Sequence, residues 1–162
     1  MKRLQSNRKA DRHYFETKLN VGVIILADKT DLEKIVNGTA QIAVATLTKN
    51  GQAPDVRIVL GVYDKTSDQV LFMSSAQAEK VAEIAAHSQA AFATPQFGEL
   101  GYARIRHAVV EQINPTPEQL DLYNNKYPEN AKYAAHSDFF ALRFKEAEVT
   151  VDGHTTVVKV TD

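Results

Sequence analysis

Short β-rich segments recur along most of this chain without settling into the strand–helix–strand rhythm of a parallel sheet. Gln41 to Thr48 (QIAVATLT), Val56 to Tyr63, Gln69 to Ser74 (QVLFMS), Ala90 to Thr94, Tyr102 to Ile113, Phe139 to Phe144 and Val149 to Val160 are rich in β-branched or aromatic residues. Three of the joins between them are hairpin signals: Lys49-Asn50-Gly51-Gln52, the polar run Asp64 to Asp68, and Asp152-Gly153. Such a pattern favours a mainly β fold, an antiparallel barrel with helices outside it. The 162 residues suffice for one domain with its own core and are too few for two of ordinary size.

Three helices are expected between the strands. Thr30-Asp31-Leu32-Glu33 has the capping-box pattern and predicts a helix over Asp31 to Val36, stopped by Asn37-Gly38. Ala78, Val81, Ala82 and Ala85 fall at helical spacing within Ala76 to His87. Thr116-Pro117-Glu118-Gln119 supplies a cap, a proline at the first position and a side chain reaching back, for a helix ending before Pro128. Residues 1–29 read as an N-terminal arm and residues 30–162 as the domain. The arm's basic residues (Lys2, Arg3, Arg8, Lys9, Arg12) read as a solvated tail or a helix lying on the domain, rather than a grip on an acidic partner.

Composition removes several function classes. A formal net charge of −1 provides no field for nucleic acid. With no cysteine there is no disulfide, thiolate metal site or cysteine nucleophile. The longest apolar run, Val21 to Ala27, is far short of the roughly 20 residues a membrane-spanning helix needs. The basic N-terminus adjoins no secretory apolar stretch, and a cytoplasmic location is expected. The five histidines show no metal-ligand spacing, and His107 is expected as a hydrogen-bonded core residue. No P-loop, G-x-G-x-x-G or G-x-S-x-G is present. No general acid or base stands out, so no catalytic residue is nominated.

One constellation does carry chemistry. If Val56–Tyr63 and Gln69–Ser74 pair as a hairpin starting from Tyr63 opposite Gln69, Arg57 comes to lie opposite Ser75, or opposite Ser74 in the neighbouring register. The helix begins just beyond, with Lys80 in about its first turn. A planar guanidinium, two hydroxyls, a helix start and an ammonium then converge on a volume suited to a phosphate. Each residue also has a plain structural role: Arg57 at a barrel rim, Ser75 as a helix cap, Lys80 in solvent.

From Val56 to about Glu111 the chain resembles the FMN-binding split-barrel superfamily, that of pyridoxamine 5′-phosphate oxidase and the general-stress flavoproteins. The resemblance rests on the order of an Arg-x-Val-Leu strand, a polar turn, a strand ending in hydroxyl residues, a Lys-bearing helix (EKVAEIAAHSQAAF) and a long strand (YARIRHAVVE). It implies a split β-barrel of antiparallel Greek-key type with FMN as cofactor. Arg57 and Lys80 would hold the FMN phosphate with Ser74 and Ser75. The backbone of Ile58, Val59 and Leu60 would line the isoalloxazine edge, Met73 would pack beside it, and Tyr102 would approach from the second subunit of a homodimer. NAD(P)H is the electron donor such a flavin-reductase-like protein would use; a flavin store or sensor, or a barrel without its cofactor, is the alternative. FAD, haem or a deazaflavin would suit related barrels. Glu79, Gly101-Tyr102, Val62, His107 and Thr150 depart from the oxidase pattern, as does the absence of tryptophan, and argue against pyridoxamine phosphate oxidation itself.

Overall fold

A computed structural model describes residues 26–160, so residues 1–25 of the expected N-terminal arm lie outside the described residues. Three helices, α1 (Lys29–Gly38), α2 (Glu79–Ala86) and α3 (Pro117–Lys126), surround nine strands. The strands are β1 (Ile42–Leu47), β2 (Pro54–Val59), β3 (Gly61–Asp64), β4 (Gln69–Ser75), β5 (Gln89–Ala93), β6 (Tyr102–Ile113), β7 (Ser137–Arg143), β8 (Glu146–Val151) and β9 (His154–Lys159). Hydrogen-bonded neighbours run β2-β1-β5-β6-β7-β4-β3, all antiparallel. Only Leu60 separates the two end strands of that path, so the sheet wraps round and closes on itself. Among the described residues no helix is long and apolar enough to cross a membrane.

The barrel is split along β6. Its C-terminal half pairs with β7 (Val109↔Arg143 to Ile113↔Phe139) and its N-terminal half with β8 (Tyr102↔Thr150 to Arg104↔Glu148). Between them the ladder opens, and Phe144 turns inward, 5% exposed, against Phe92 and Tyr63. Inward side chains of every layer meet there: Ile42, Val44, Val59, Val70, Phe72, Ile105, Phe140 and Leu142 are buried in one cluster. A second cluster lies outside the sheet beneath α3, where Val62, Leu71, Phe139 and Ala141 pack against Tyr123. This explains why β3 is buried on both faces instead of alternating.

Six expectations need correction, four of them concerning elements and pairing. Val56 to Tyr63 is two strands: Gly61 breaks the run, its α-carbon so close to Ile42 that a Cβ would fall 2.7 Å from Ile42 Cδ1. Consequently β2 pairs with β1, placing Arg57 opposite Val44, and the expected Arg57–Ser75 pairing does not form. The short β3–β4 hairpin that does form sets Tyr63 opposite Val70, one residue from the expected register, because Asp64 and Gln69 close the turn as a pair. α1 starts two residues earlier than expected, since Asp28 and Asp31 form the capping box instead of Thr30 and Glu33.

The remaining two corrections concern faces. In α2 the buried residues are Glu83 and Ile84, whereas Ala82 and Ala85 are exposed. Alanines are too small to decide which way a helix faces. His107 is exposed and Val109 is 48% exposed, because a bulge between Ala90 and Phe92 of β5 puts an extra residue into β6 and turns Ala108 and Val110 inward.

Candidate functional site

Leu60 is where the chain changes partners. Up to Val59 it runs beside β1; from Gly61 it runs beside β4. The β3–β4 ladder ends at Gly61↔Phe72, so Met73, Ser74 and Ser75 continue β4 with β7 on one side only. The edges of β2 and β4 diverge from that point. The bend is fixed from outside, because Gly61 O accepts from Lys126 Nζ (2.6 Å) and from the Tyr127 hydroxyl (2.7 Å) at the end of α3. Beside it is a hollow of about 420 Å3, lined by Leu60, Met73, Ser74 and Ser75 together with Tyr123, Tyr133 and His136. Its volume is in the range of small-molecule sites.

Lys80 is tied to this hollow through Ser74, one of its lining residues. It occupies the first turn of α2 and its Nζ donates to Ser74 Oγ at 3.1 Å. Ser74 is 5% exposed, so its hydroxyl is held in place by the barrel interior. Burial pushes the Lys80 ammonium below its ordinary pKa, and the Arg57 charge nearby adds to the shift. Lys80 is therefore a partly dehydrated cation, which suits an anion. Ser75 is exposed and its Oγ accepts from the Gln77 N–H (3.3 Å); α2 itself starts later, at Glu79, with Ala78 as an unassisted cap.

Arg57 reaches the same end of the barrel by a different route. It faces inward, like Val59 two residues on, and lies under α2. Its Nη1 donates to Thr46 Oγ1 (2.7 Å) and its Nη2 to Glu83 Oε2 (2.6 Å), with Asp55 as a further partner. Thr46 Oγ1 also donates to Glu83 Oε2 at 3.0 Å. Glu83 is 2% exposed, so this is a buried, hydrogen-bonded ion pair. Sequence reasoning missed Glu83, because in an alanine-rich helix no local signal marks which carboxylate turns inward.

Of the other expected residues, Ile58 points outward and is 59% exposed, Val59 is buried, and Leu60 borders the hollow. Tyr102, 45% exposed, lies beside a separate hollow of about 500 Å3 near Gly101, Thr150 and Gly153, so one protomer does not bring it to Leu60 and Met73. No group of three or more metal-ligating side chains occurs among the described residues.

A flat aromatic molecule ending in a phosphate matches this arrangement. Lys80 and Ser74 offer donors at one end, and the polar backbone of a diverging strand runs alongside. Tyr123, Tyr133, Met73 and Leu60 supply the apolar wall. The residues present fit such a group.

Comparison with known proteins identifies the family and the fold. The family model described as pyridoxamine 5′-phosphate oxidase matches residues 29–153. No curated protein sequence matches the chain. Among solved structures, the chain is similar to a heme binding protein from Mycobacterium smegmatis at 18% identity and TM-score 0.65, covering 80% of this chain and 56% of that one. It is similar to HutZ, the heme storage protein from Vibrio cholerae, at 12% identity and TM-score 0.61, covering 78% and 98%. A Clostridium acetobutylicum protein related to general stress protein 26, of the pyridoxinephosphate oxidase family, gives 8% identity and TM-score 0.59, covering 81% and 93%. At these identities the likeness speaks for the fold.

Proposed function

This chain belongs to the pyridoxamine 5′-phosphate oxidase family of split barrels, and from that premise we propose that it is a homodimeric FMN-binding flavoprotein of the flavin-reductase type. The observation that carries the reading is the hydrogen bond from Lys80 to Ser74, which lines the hollow together with Leu60, Met73 and Ser75. Lys80, Ser74 and Ser75 hold the phosphate, with Arg57 as the second cation. The Ile58–Leu60 backbone lies along the polar edge of the ring and Met73 packs against it. When bound, the flavin supplies the hydride and electron chemistry, with NAD(P)H as donor, while the chain anchors the phosphate, orients the ring and excludes water.

The second subunit covers the outward face of β1, β2 and β5. Val56 and Ile58 are 62% and 59% exposed there. They are in register with Ala45 and Ala43, which in turn pair with Ala91 and Ala93. The result is a flat apolar surface of small side chains, of the kind that packs closely against its own copy. In that dimer Tyr102 is the residue the partner subunit contributes.

A specific observation favours a second reading, haem in place of FMN. His136 borders the hollow beside Tyr133, and two of the similar structures are described as heme proteins. A visible spectrum of the purified protein with each cofactor added decides between them. Flavin bands and quenching of FMN fluorescence are expected; a Soret band that needs His136 would transfer the site to haem, and neither signal would leave a barrel without cofactor. Rapid reduction by NAD(P)H in stopped flow separates an oxidoreductase from a flavin store.

A further inference from the structure

We propose that Glu83 is the resident counter-ion of the phosphate cradle and that seating a phosphate there is coupled to the uptake of one proton by this carboxyl group. The inference rests on the phosphate site proposed above. Its observation is that the cradle already contains an anion. Glu83 Oε2 receives hydrogen bonds from Arg57 Nη2 (2.6 Å) and Thr46 Oγ1 (3.0 Å), and the side chain is 2% exposed. Lys80 and Glu83 are three residues apart on α2, hence on one face of the helix.

The charges of the cluster cancel before any ligand arrives: Arg57 and Lys80 against Glu83 and Asp55. A phosphate monoester dianion placed between Lys80 and Arg57 would leave two negative charges in excess, one of them on a carboxylate with no access to water. Asp55, whose side chain is 42% exposed, can be screened by solvent where it stands. Glu83 cannot. His87, four residues on at the end of α2, has its Nε2 within 3.2 Å of Lys49 O. β1 contributes the neutral Thr46 and β2 contributes Arg57 and Asp55, while β6, which also packs against α2, buries apolar Ile105, Ala108 and Val110. On α2 itself Glu79 is exposed and adds another negative charge. Protonation of Glu83 removes the conflict. It frees the Arg57 fork for phosphate oxygens and turns the carboxyl group from an acceptor into a donor. The proton comes from solvent and returns there when the phosphate leaves. The site consequently prefers the phosphorylated flavin most strongly in acid.

Titration calorimetry of the full chain with FMN, in buffers of different ionisation enthalpy between about pH 6.5 and 8.5, tests this above the phosphate's own second pKa of about 6. The expected result is net uptake of close to one proton per FMN and an affinity that falls by up to tenfold per pH unit. Riboflavin, which lacks the phosphate, should show neither. Glu83→Gln should bind FMN at least tenfold more tightly than wild type at pH 8 and take up no proton. FMN binding with the same pH profile as riboflavin, or without proton uptake in the wild-type chain, overturns the proposal while leaving the flavin site in place. Failure of wild type and Glu83→Gln to bind FMN at any pH overturns both, and the wild-type measurement does not depend on the variant folding.

Discussion

Replacing Arg57 with methionine should unfold the ligand-free protein more readily. The substitution keeps most of the apolar stem but removes the guanidinium that neutralises Glu83. With Glu83 at 2% exposure, its carboxylate keeps only the Thr46 hydroxyl. Breaking one side of a buried pair costs about 3–5 kcal/mol, because the remaining charge stays out of water. The Asp55 contact adds little, since that carboxylate is 42% exposed. With a urea m-value of about 2 kcal/mol per molar, the midpoint should fall by roughly 2 M. Urea melts followed by circular dichroism at fixed protein concentration measure it. The double variant Arg57→Met, Glu83→Leu should recover most of the loss, because an apolar pair of similar volume can replace a buried ion pair at little net cost. A single variant within about 1 kcal/mol of wild type, or a double variant no better than the single, would refute the claim that Glu83 is held by Arg57.

Other consequences can be checked separately. Lys80→Ala should weaken FMN binding about 10- to 100-fold by fluorescence titration, the loss expected for a charge-assisted phosphate contact; unchanged affinity would remove Lys80 from the site. Gly101→Ala should destabilise the fold by at least about 2 kcal/mol, since φ is +100° and the new Cβ would fall 1.8 Å from Thr150 O, while Gly98→Ala, with open space around it, should cost about 1–2 kcal/mol from its positive φ alone. Thermal melts compare the two. Stability should rise from pH 8 towards 10. Burial lowers Lys126 to about 8, so over that window the unfolded chain binds more protons than the folded one. Above pH 10 it should fall, because Tyr123, pushed up to about 12, and Tyr63 and Tyr127, pushed higher, keep protons that the unfolded chain has lost. Lys126→Met should flatten the first limb, and a wild-type urea midpoint that drops between pH 8 and 9.5 would contradict the assignment.

Local signals were legible where a few residues decide the outcome. The Thr116-Pro117-Gln119 start of α3, the Asn50-Gly51 turn and the Asp152-Gly153 hairpin all appear as read, with Gly51, Asp152 and Gly153 in the left-handed region. The pairing of strands was less legible, because Val56–Val59 and Val62–Tyr63 have equal β preference and only Gly61 marks the break. Lys80 and Ser74 were brought together as expected from their spacing. The partner of Arg57 was not, since no local rule tells a buried carboxylate on a helix from a solvated one. That depends on which face the helix turns inward, and in α2 only Val81 and Ile84 among three alanines decide it.

Leu60 is at once the seam of the barrel and a wall of the hollow. The two strands it joins have no ladder between them, so the width of that hollow and the fit of the last stave against the first vary as a single motion. A guest lodged there would act as a staple across the seam. Its arrival should slow amide exchange from Val59 to Val62 and along Ile42 to Val44, further than its own contacts extend.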